Sequence, residues 1–161
     1  LGNTRGKVVM GGASDRSALT IAATVVVDPA VDEPLMAEEI FGPILPIVGV
    51  DSVGDAIGYV NNKPKPLALY IFAKSKQVQR RLIDDIPAGG AVVNHVAMHC
   101  LVPALPFGGV GPSGMGAYHG EWGFQTFSHR KAVLAKTFKP DLSLMYPPYT
   151  KRSLNIMRKV L

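Results

Sequence analysis

Cysteine is almost missing from this 161-residue chain. Cys100 stands alone, so no intrachain disulfide can form, and a single thiol suits a reducing compartment. Long apolar runs are missing too: none approaches the roughly 20 residues that span a bilayer, and nothing at the N-terminus has a signal-peptide pattern. These absences set the expectation of a cytoplasmic chain. Acidic residues are outnumbered, 12 against 17 lysines and arginines, for a net charge of +5. The surplus is scattered, as at Arg5, Lys7, Lys63, Lys65, Arg80 and Arg81, and gathers only at Lys151, Arg152, Arg158 and Lys159. A nucleic-acid groove needs a basic stripe interleaved with aromatics, so no nucleic-acid partner is expected. Low-complexity tracts and internal repeats are absent as well. What is there, 47% hydrophobic and 18% charged, is a globular composition with apolar content enough for a sizeable core.

The apolar runs that do occur are short and bounded by turn residues. Lys7–Met10 reads as a strand stopped by Gly11-Gly12. The β-branched TIAATVVV, 20–27, reads as a second strand closed by Asp28-Pro29, and ILPIVGV, 44–50, as a buried third. Ser52, with Asp55 three residues on, makes a helix-capping pair, behind which Val53, Ala56, Ile57 and Val60 share one helical face. Lys63-Pro64-Lys65-Pro66 ends that helix and leads into LALYIFA, 67–73, a strand expected to be buried on both faces. Ser75 caps a second helix whose inward stripe is Val78, Leu82, Ile83 and Ile86, and AVV, 91–93, begins another strand. Strands alternating with helical crossovers predict an α/β fold: an open, mainly parallel sheet with flanking helices. Past Asn94 comes an irregular segment of a length that is usually functional. Regular structure is expected again from Phe124, then as a strand over 132–138, and last as a short basic amphipathic helix after Ser153. That basic end predicts membrane contact that is at most peripheral.

Inside the irregular segment, PFGGVGPSGMGAYHG at 106–120 places Gly109, Gly111 and Gly114 at the G-x-G-x-x-G spacing that cradles a pyrophosphate. The context denies that role. The fingerprint follows a strand and opens a helix, whereas Leu105-Pro106-Phe107-Gly108 is a poor strand end and Pro112 removes an N–H where phosphate would need one. No Gly-Lys-Ser/Thr follows, which excludes a P-loop. The glycines are expected to bend a loop around a cavity walled by Phe107, Tyr118 and His119. His95, His99 and Cys100 lie close in sequence, but no second ligand pair stands at zinc spacing, so no metal is expected.

Taken in order, EEIFGP at 38–43, PLALYIF at 66–72, GGAVVN at 89–94 and PFGGVGPSGMG at 106–116 resemble the aldehyde dehydrogenase superfamily. PLALY, SGMGAYHG and TFSH are similar to its class 3 branch, which includes enzymes for long-chain and aromatic aldehydes, the coniferyl aldehyde dehydrogenases among them. The resemblance runs from about Gly6 to about Lys136. It implies the C-terminal part of such an enzyme: 1–130 as the latter part of the catalytic domain, and 131–161 as a C-terminal β-extension with an oligomerisation strand and a basic tail. It further implies NAD or NADP as cofactor, an aldehyde substrate and a homodimer.

The family's reaction oxidises an aldehyde to a carboxylic acid through a thioester on an enzyme cysteine, with hydride passing to the nicotinamide. By resemblance, the nucleophile and the general base fall upstream of Leu1, and the isolated chain is expected to be inactive. Cys100 lacks the family's G-Q-x-C setting and has no base placed beside it by any motif, so no catalytic residue is assigned. Glu39 is implied to accept hydrogen bonds from the nicotinamide-ribose hydroxyls, two carboxylate oxygens facing a vicinal diol, and Phe41 to pack on the nicotinamide end. Phe107 matches an aromatic of the substrate tunnel, and Tyr118 and His119 match class 3 positions beside it. His99 lies on the segment expected to approach that pocket. A second reading stays open: a non-enzymatic binding or oligomerisation module on the same scaffold, pairing 132–138 with a partner's sheet edge.

Overall fold

The computed structural model describes residues 1–160, and the chain divides into two compact units, Leu1–Phe127 and the stretch from Ser128 onward. The first unit runs β1 (Lys7–Met10), β2 (Ser14–Asp15), β3 (Thr20–Ile21), β4 (Thr24–Val27), β5 (Ile44–Ile47), α1 (Val53–Asn61), β6 (Ala68–Ile71), α2 (Lys76–Asp85), β7 (Gly90–Val93) and α3 (Gly120–Thr126). Its sheet structure is mixed. β4 lies between β1, antiparallel to it, and β5, parallel to it; β2 and β3 form an antiparallel hairpin; β6 and β7 pair in parallel across α2. The expected single, mainly parallel sheet is thus three small sheets.

Burial explains the centre of the first sheet. Thr24 and Val26, on one face of β4, are buried. The Thr24 hydroxyl donates to the Ala22 carbonyl at 2.7 Å and accepts from the Gly12 N–H at 2.9 Å, so its burial leaves no polar group stranded. β5 is an edge, where Pro46 with its missing N–H is tolerated. The stretch 20–27, expected as one strand, is two because the chain changes sheets at Ala22-Ala23. Ala22 donates to the Ala13 carbonyl and Thr24 to the Pro43 carbonyl, which sends β3 and β4 to different partners.

Both expected helices form where their caps lie. Ser52 accepts from the Asp55 N–H and donates to its carboxylate, while Ser75 accepts from the Val78 N–H. The inward face of α2 departs from expectation at one residue. Ile83 is exposed, and Gln79 is buried instead, its amide donating to the Ala73 carbonyl at 2.7 Å. A long polar chain reaches a backbone acceptor that a pattern of apolar residues does not reveal. β5 is not the buried strand expected, since Leu45 and Ile47 are exposed, and the stretch 67–73 is not covered on both faces, since Tyr70 and Phe72 are exposed. α3 opens at Gly120 rather than at Phe124.

The second unit holds one regular helix among its described residues, α4 (Lys151–Val160). It starts before Ser153 because Thr150 caps it: Thr150 Oγ1 accepts from the Ser153 N–H, and Ser153 Oγ accepts from the Thr150 N–H. The expected strand over 132–138 does not form. A strand exists by pairing, and its own unit contains no other strand among the described residues.

Candidate functional site

The irregular segment is tied down at its start by Asn94. Its N–H donates to the Ile71 carbonyl at 2.6 Å and its side-chain oxygen accepts from the Ala73 N–H at 3.0 Å, which locks the ends of β6 and β7 together. From there a short 3-10 turn, Met98–Leu101, carries His99 back under the sheet. His99 is only 7% exposed and lies against Gly90, where a Cβ would come within 2.9 Å of the ring. Its imidazole meets the edge of Tyr70 with centroids 6.0 Å apart and tilts against Phe107 at 5.3 Å.

Phe107 is the middle of this cluster. It forms an antiparallel bridge with Tyr118, each N–H donating to the other's carbonyl at 3.1 and 2.9 Å, and the two rings meet edge to face at 5.5 Å. His119 stacks on Phe107 at 6.0 Å, packs on Tyr118 at 4.3 Å, and places Nδ1 3.1 Å from the Leu105 carbonyl. The structure therefore gathers all four residues named for a pocket from sequence, Phe107, Tyr118, His119 and His99. It adds Tyr70, the fifth residue of PLALY, whose motif was read without assigning it a contact. Beside the cluster a groove of about 260 Å³ is lined by Phe107, Met115, Tyr118 and Phe127.

The glycine turn holds this wall by close backbone approach. A Cβ on Gly108 would stand 2.2 Å from the Gly116 carbonyl oxygen, and one on Gly109 would stand 2.1 Å from that of Ser113. Two of its amides are engaged within the turn: Gly114 N–H donates to the Gly111 carbonyl and Val110 N–H to Ser113 Oγ.

Glu39 and Phe41 lie elsewhere in the same unit. Glu39 lines a cleft of about 420 Å³ together with Thr4, Glu33, Leu35, Glu38 and Ile40, none of which belongs to the aromatic cluster. Its carboxylate accepts no hydrogen bond from within the described residues. Phe41 is 92% exposed and sits at φ +47°, an unusual backbone for a bulky residue. The floor of the cleft is Glu33, which the sequence reading missed. It is buried and accepts from the Thr4 hydroxyl, the Arg5 N–H at 2.9 Å and the Ala30 N–H at 3.3 Å. The Thr4 hydroxyl, the two amides and the Arg5 charge hold its carboxyl below the ordinary value of 4.5. No sequence signal marks it beyond its place before Pro34.

Cys100 Sγ stands 3.8 Å from His99 Nδ1, while His99 Nε2 is buried without a partner. His95 Nδ1 bonds only its neighbour Val96. Among the described residues no group of three His, Cys, Asp or Glu side chains could hold a metal, and no helix is long and apolar enough to cross a membrane.

A βαβ unit in a mixed α/β body carries an aromatic wall on a glycine turn. The comparisons name it. The profile of the aldehyde dehydrogenase family matches residues 2–133, and the chain belongs to that family. The family 3 branch is the one it matches: bovine aldehyde dehydrogenase family 3 member B1 is 50% identical over 156 residues, 94% of this chain and 33% of that protein. In the solved structures, substrate-bound AldH of Staphylococcus aureus superposes with a TM-score of 0.77 at 40% identity, covering 96% of this chain and 34% of that one. The Mycobacterium tuberculosis enzyme complexed with NAD+ (TM-score 0.72) and the succinic semialdehyde dehydrogenase of Streptococcus pyogenes with NADP+ (0.70) are each 28% identical, covering 85% and 82% of this chain and 28% and 29% of theirs. The chain thus spans about a third of the length of the relatives it matches.

Proposed function

We propose that this chain is the C-terminal part of an NAD(P)-dependent aldehyde dehydrogenase that oxidises an aldehyde to a carboxylic acid through an enzyme thioester. Its share is a wall for the substrate and a hold on the nicotinamide ribose. The observation that carries this reading is the ring cluster around Phe107: five aromatic side chains locked by a backbone bridge beside an open apolar groove. Such a wall suits an apolar or aromatic aldehyde. Glu39 and Phe41 fit a nucleotide cofactor, since one offers an unengaged carboxylate and the other a bare aromatic face. The cofactor's contribution is to accept hydride; the chain's is to fix a diol through Glu39 and cover a ring through Phe41. Ala132 to Phe138 supplies the homodimer contact, its Leu134 being 95% exposed.

The test joins this chain to an upstream family segment carrying the nucleophile. The longer protein is expected to form NADH or NADPH in response to aldehyde and the 161-residue chain to form none. Glu39→Gln in the longer protein raises KM for the dinucleotide about tenfold or more, because a charged acceptor is lost. Turnover by the short chain that disappears in Cys100→Ser would overturn this reading.

A further inference from the structure

We infer that Glu33 is a positioning residue for the dinucleotide: it sets where Glu39 stands by tying the segment that carries Glu39 to the core of the first unit. The inference rests on the reading of Glu39 as the ribose ligand and adds what holds that carboxylate in place. Glu39 has no hold of its own. Among the described residues, 38–41 make no hydrogen bond, by backbone or by side chain. Hydrogen bonds fix this span only at its two ends. Downstream, the Pro43 carbonyl accepts from the Thr24 N–H at 2.9 Å, and Ile44 enters β5 beside the central strand β4. Upstream, the fixed point is Glu33.

Two of the Glu33 bonds reach the N-terminal strap, residues 4–6: its carboxylate accepts from the Thr4 hydroxyl and from the Arg5 N–H at 2.9 Å. That strap is seated on the core. A Cβ on Gly6 would stand 2.6 Å from a Val26 methyl, and the Gly6 N–H donates to the Thr4 hydroxyl at 3.1 Å. A third bond comes from the Ala30 N–H at 3.3 Å, while the Glu33 N–H donates back to the Ala30 carbonyl at 3.1 Å. Toward Glu39 the hold passes through backbone. The Glu33 carbonyl accepts from the Met36 N–H at 2.9 Å and the Pro34 carbonyl from the Ala37 N–H at 3.3 Å, a single 3-10 turn that ends two residues short of Glu39. Thr4, Glu33 and Glu39 border the same cleft, so any slip between strap and turn moves the Glu39 carboxylate against the opposite wall. A carboxylate only 3% exposed is costly to bury unless its oxygens are engaged, and apolar packing serves stability as well or better. What the carboxylate adds is a fixed distance between strap and turn.

The experiment uses the longer protein that carries the nucleophile, so that dinucleotide and aldehyde kinetics are both read. Thr4→Val keeps the side-chain shape and removes the hydroxyl from Glu33. It is expected to raise KM for the dinucleotide about fivefold, the worth of one ordinary hydrogen bond, with kcat and the KM for aldehyde unchanged. Thr4→Ser restores the hydroxyl and should restore that KM. Glu33→Gln, which replaces one acceptor oxygen by a donor, should raise it at least as much. Asp15→Asn is the matched control, because the Asp15 carboxylate also accepts three bonds, from the Ser17 hydroxyl and the Ser17 and Ala18 N–H groups, away from the cleft; it should change no constant. In a Glu39→Gln background the effect of Thr4→Val should vanish, since nothing is left to position. Its full persistence there, equal losses in kcat and both KM values, or a serine variant as impaired as the valine one would each overturn the inference. If Glu39→Gln raises the dinucleotide KM while Thr4→Val and Glu33→Gln do not, this inference alone fails. If Glu39→Gln leaves that KM unchanged, the ribose reading fails and the inference with it.

Discussion

Glycine at 109 and glycine at 58 share a residue type and have opposite duties. At Gly109 a Cβ would lie 2.1 Å from the Ser113 carbonyl oxygen, and backbone on that side cannot swing away as a side chain would. Gly109→Ala is expected to lower stability by about 1–3 kcal/mol, the usual range for overpacking. At Gly58, inside α1, a Cβ would meet nothing within 4 Å. Gly58→Ala should raise stability by about 0.5–1 kcal/mol through helix propensity and reduced freedom of the unfolded chain. Urea denaturation midpoints of the two variants should move in opposite directions, and a common direction would contradict the packing described for the glycine turn. Glu33 adds a dependence on pH. Its folded carboxyl is held below 4.5, chiefly by the Thr4 hydroxyl, so its contribution is intact above that value and fades as pH falls through the lowered folded value. Thermal melts between pH 6 and pH 3 should drop for the wild type, and Glu33→Gln should flatten that part of the drop.

The helices show which parts of the fold were legible in the sequence. α1 and α2 were readable because Ser52 and Ser75 announce their starts and because each helix makes its own hydrogen bonds. Ser52→Ala is expected to cost about 1 kcal/mol, as for a typical cap, and more than Ser75→Ala, since Ser52 also donates to the Asp55 carboxylate. Chemical denaturation of both variants measures the difference. Strands were less legible because their identity depends on a partner that may be far away in sequence. TIAATVVV looks uniform, yet Ala22-Ala23 divides it between two sheets, and only the distant Ala13 and Pro43 carbonyls decide that. The stretch 132–138 has strand composition and no strand for the same reason. Within the site, motif spelling singled out Phe107, Tyr118 and His119, and position before PFGG pointed to His99, whereas Tyr70 and Glu33 are recruited by packing and by backbone donors that no spacing encodes.

Among the described residues, Val26, Ile71 and Ile86 are the buried hydrophobic core, while Val9, Phe72, Phe127, Leu134 and Phe138 are left at the surface. Apolar exposure of this extent marks contacts made with other protein, and it accompanies a chain about a third as long as its relatives. The isolated chain should bind the dye ANS brightly and unfold in urea with a slope below that of a globular domain of its size. Dim ANS and a steep slope would mean that the exposed faces close on one another in solution. Size-exclusion chromatography gives the companion reading: a dimer is expected, and a strict monomer would count against pairing through 132–138.

The crossing of Gly89 with Gly108, where an added Cβ would stand 2.2 Å from the Gly108 carbonyl oxygen, also sets where this chain can be lengthened. A peptide tag spliced into the β2–β3 hairpin around Ser17 enlarges an exposed tip and disturbs no crossing. One residue inserted anywhere in 106–116 shifts a carbonyl into the backbone it already touches, and the mismatch spreads to the end of β7. For splicing and loop grafting, the first position is a free end and the second behaves as a keystone.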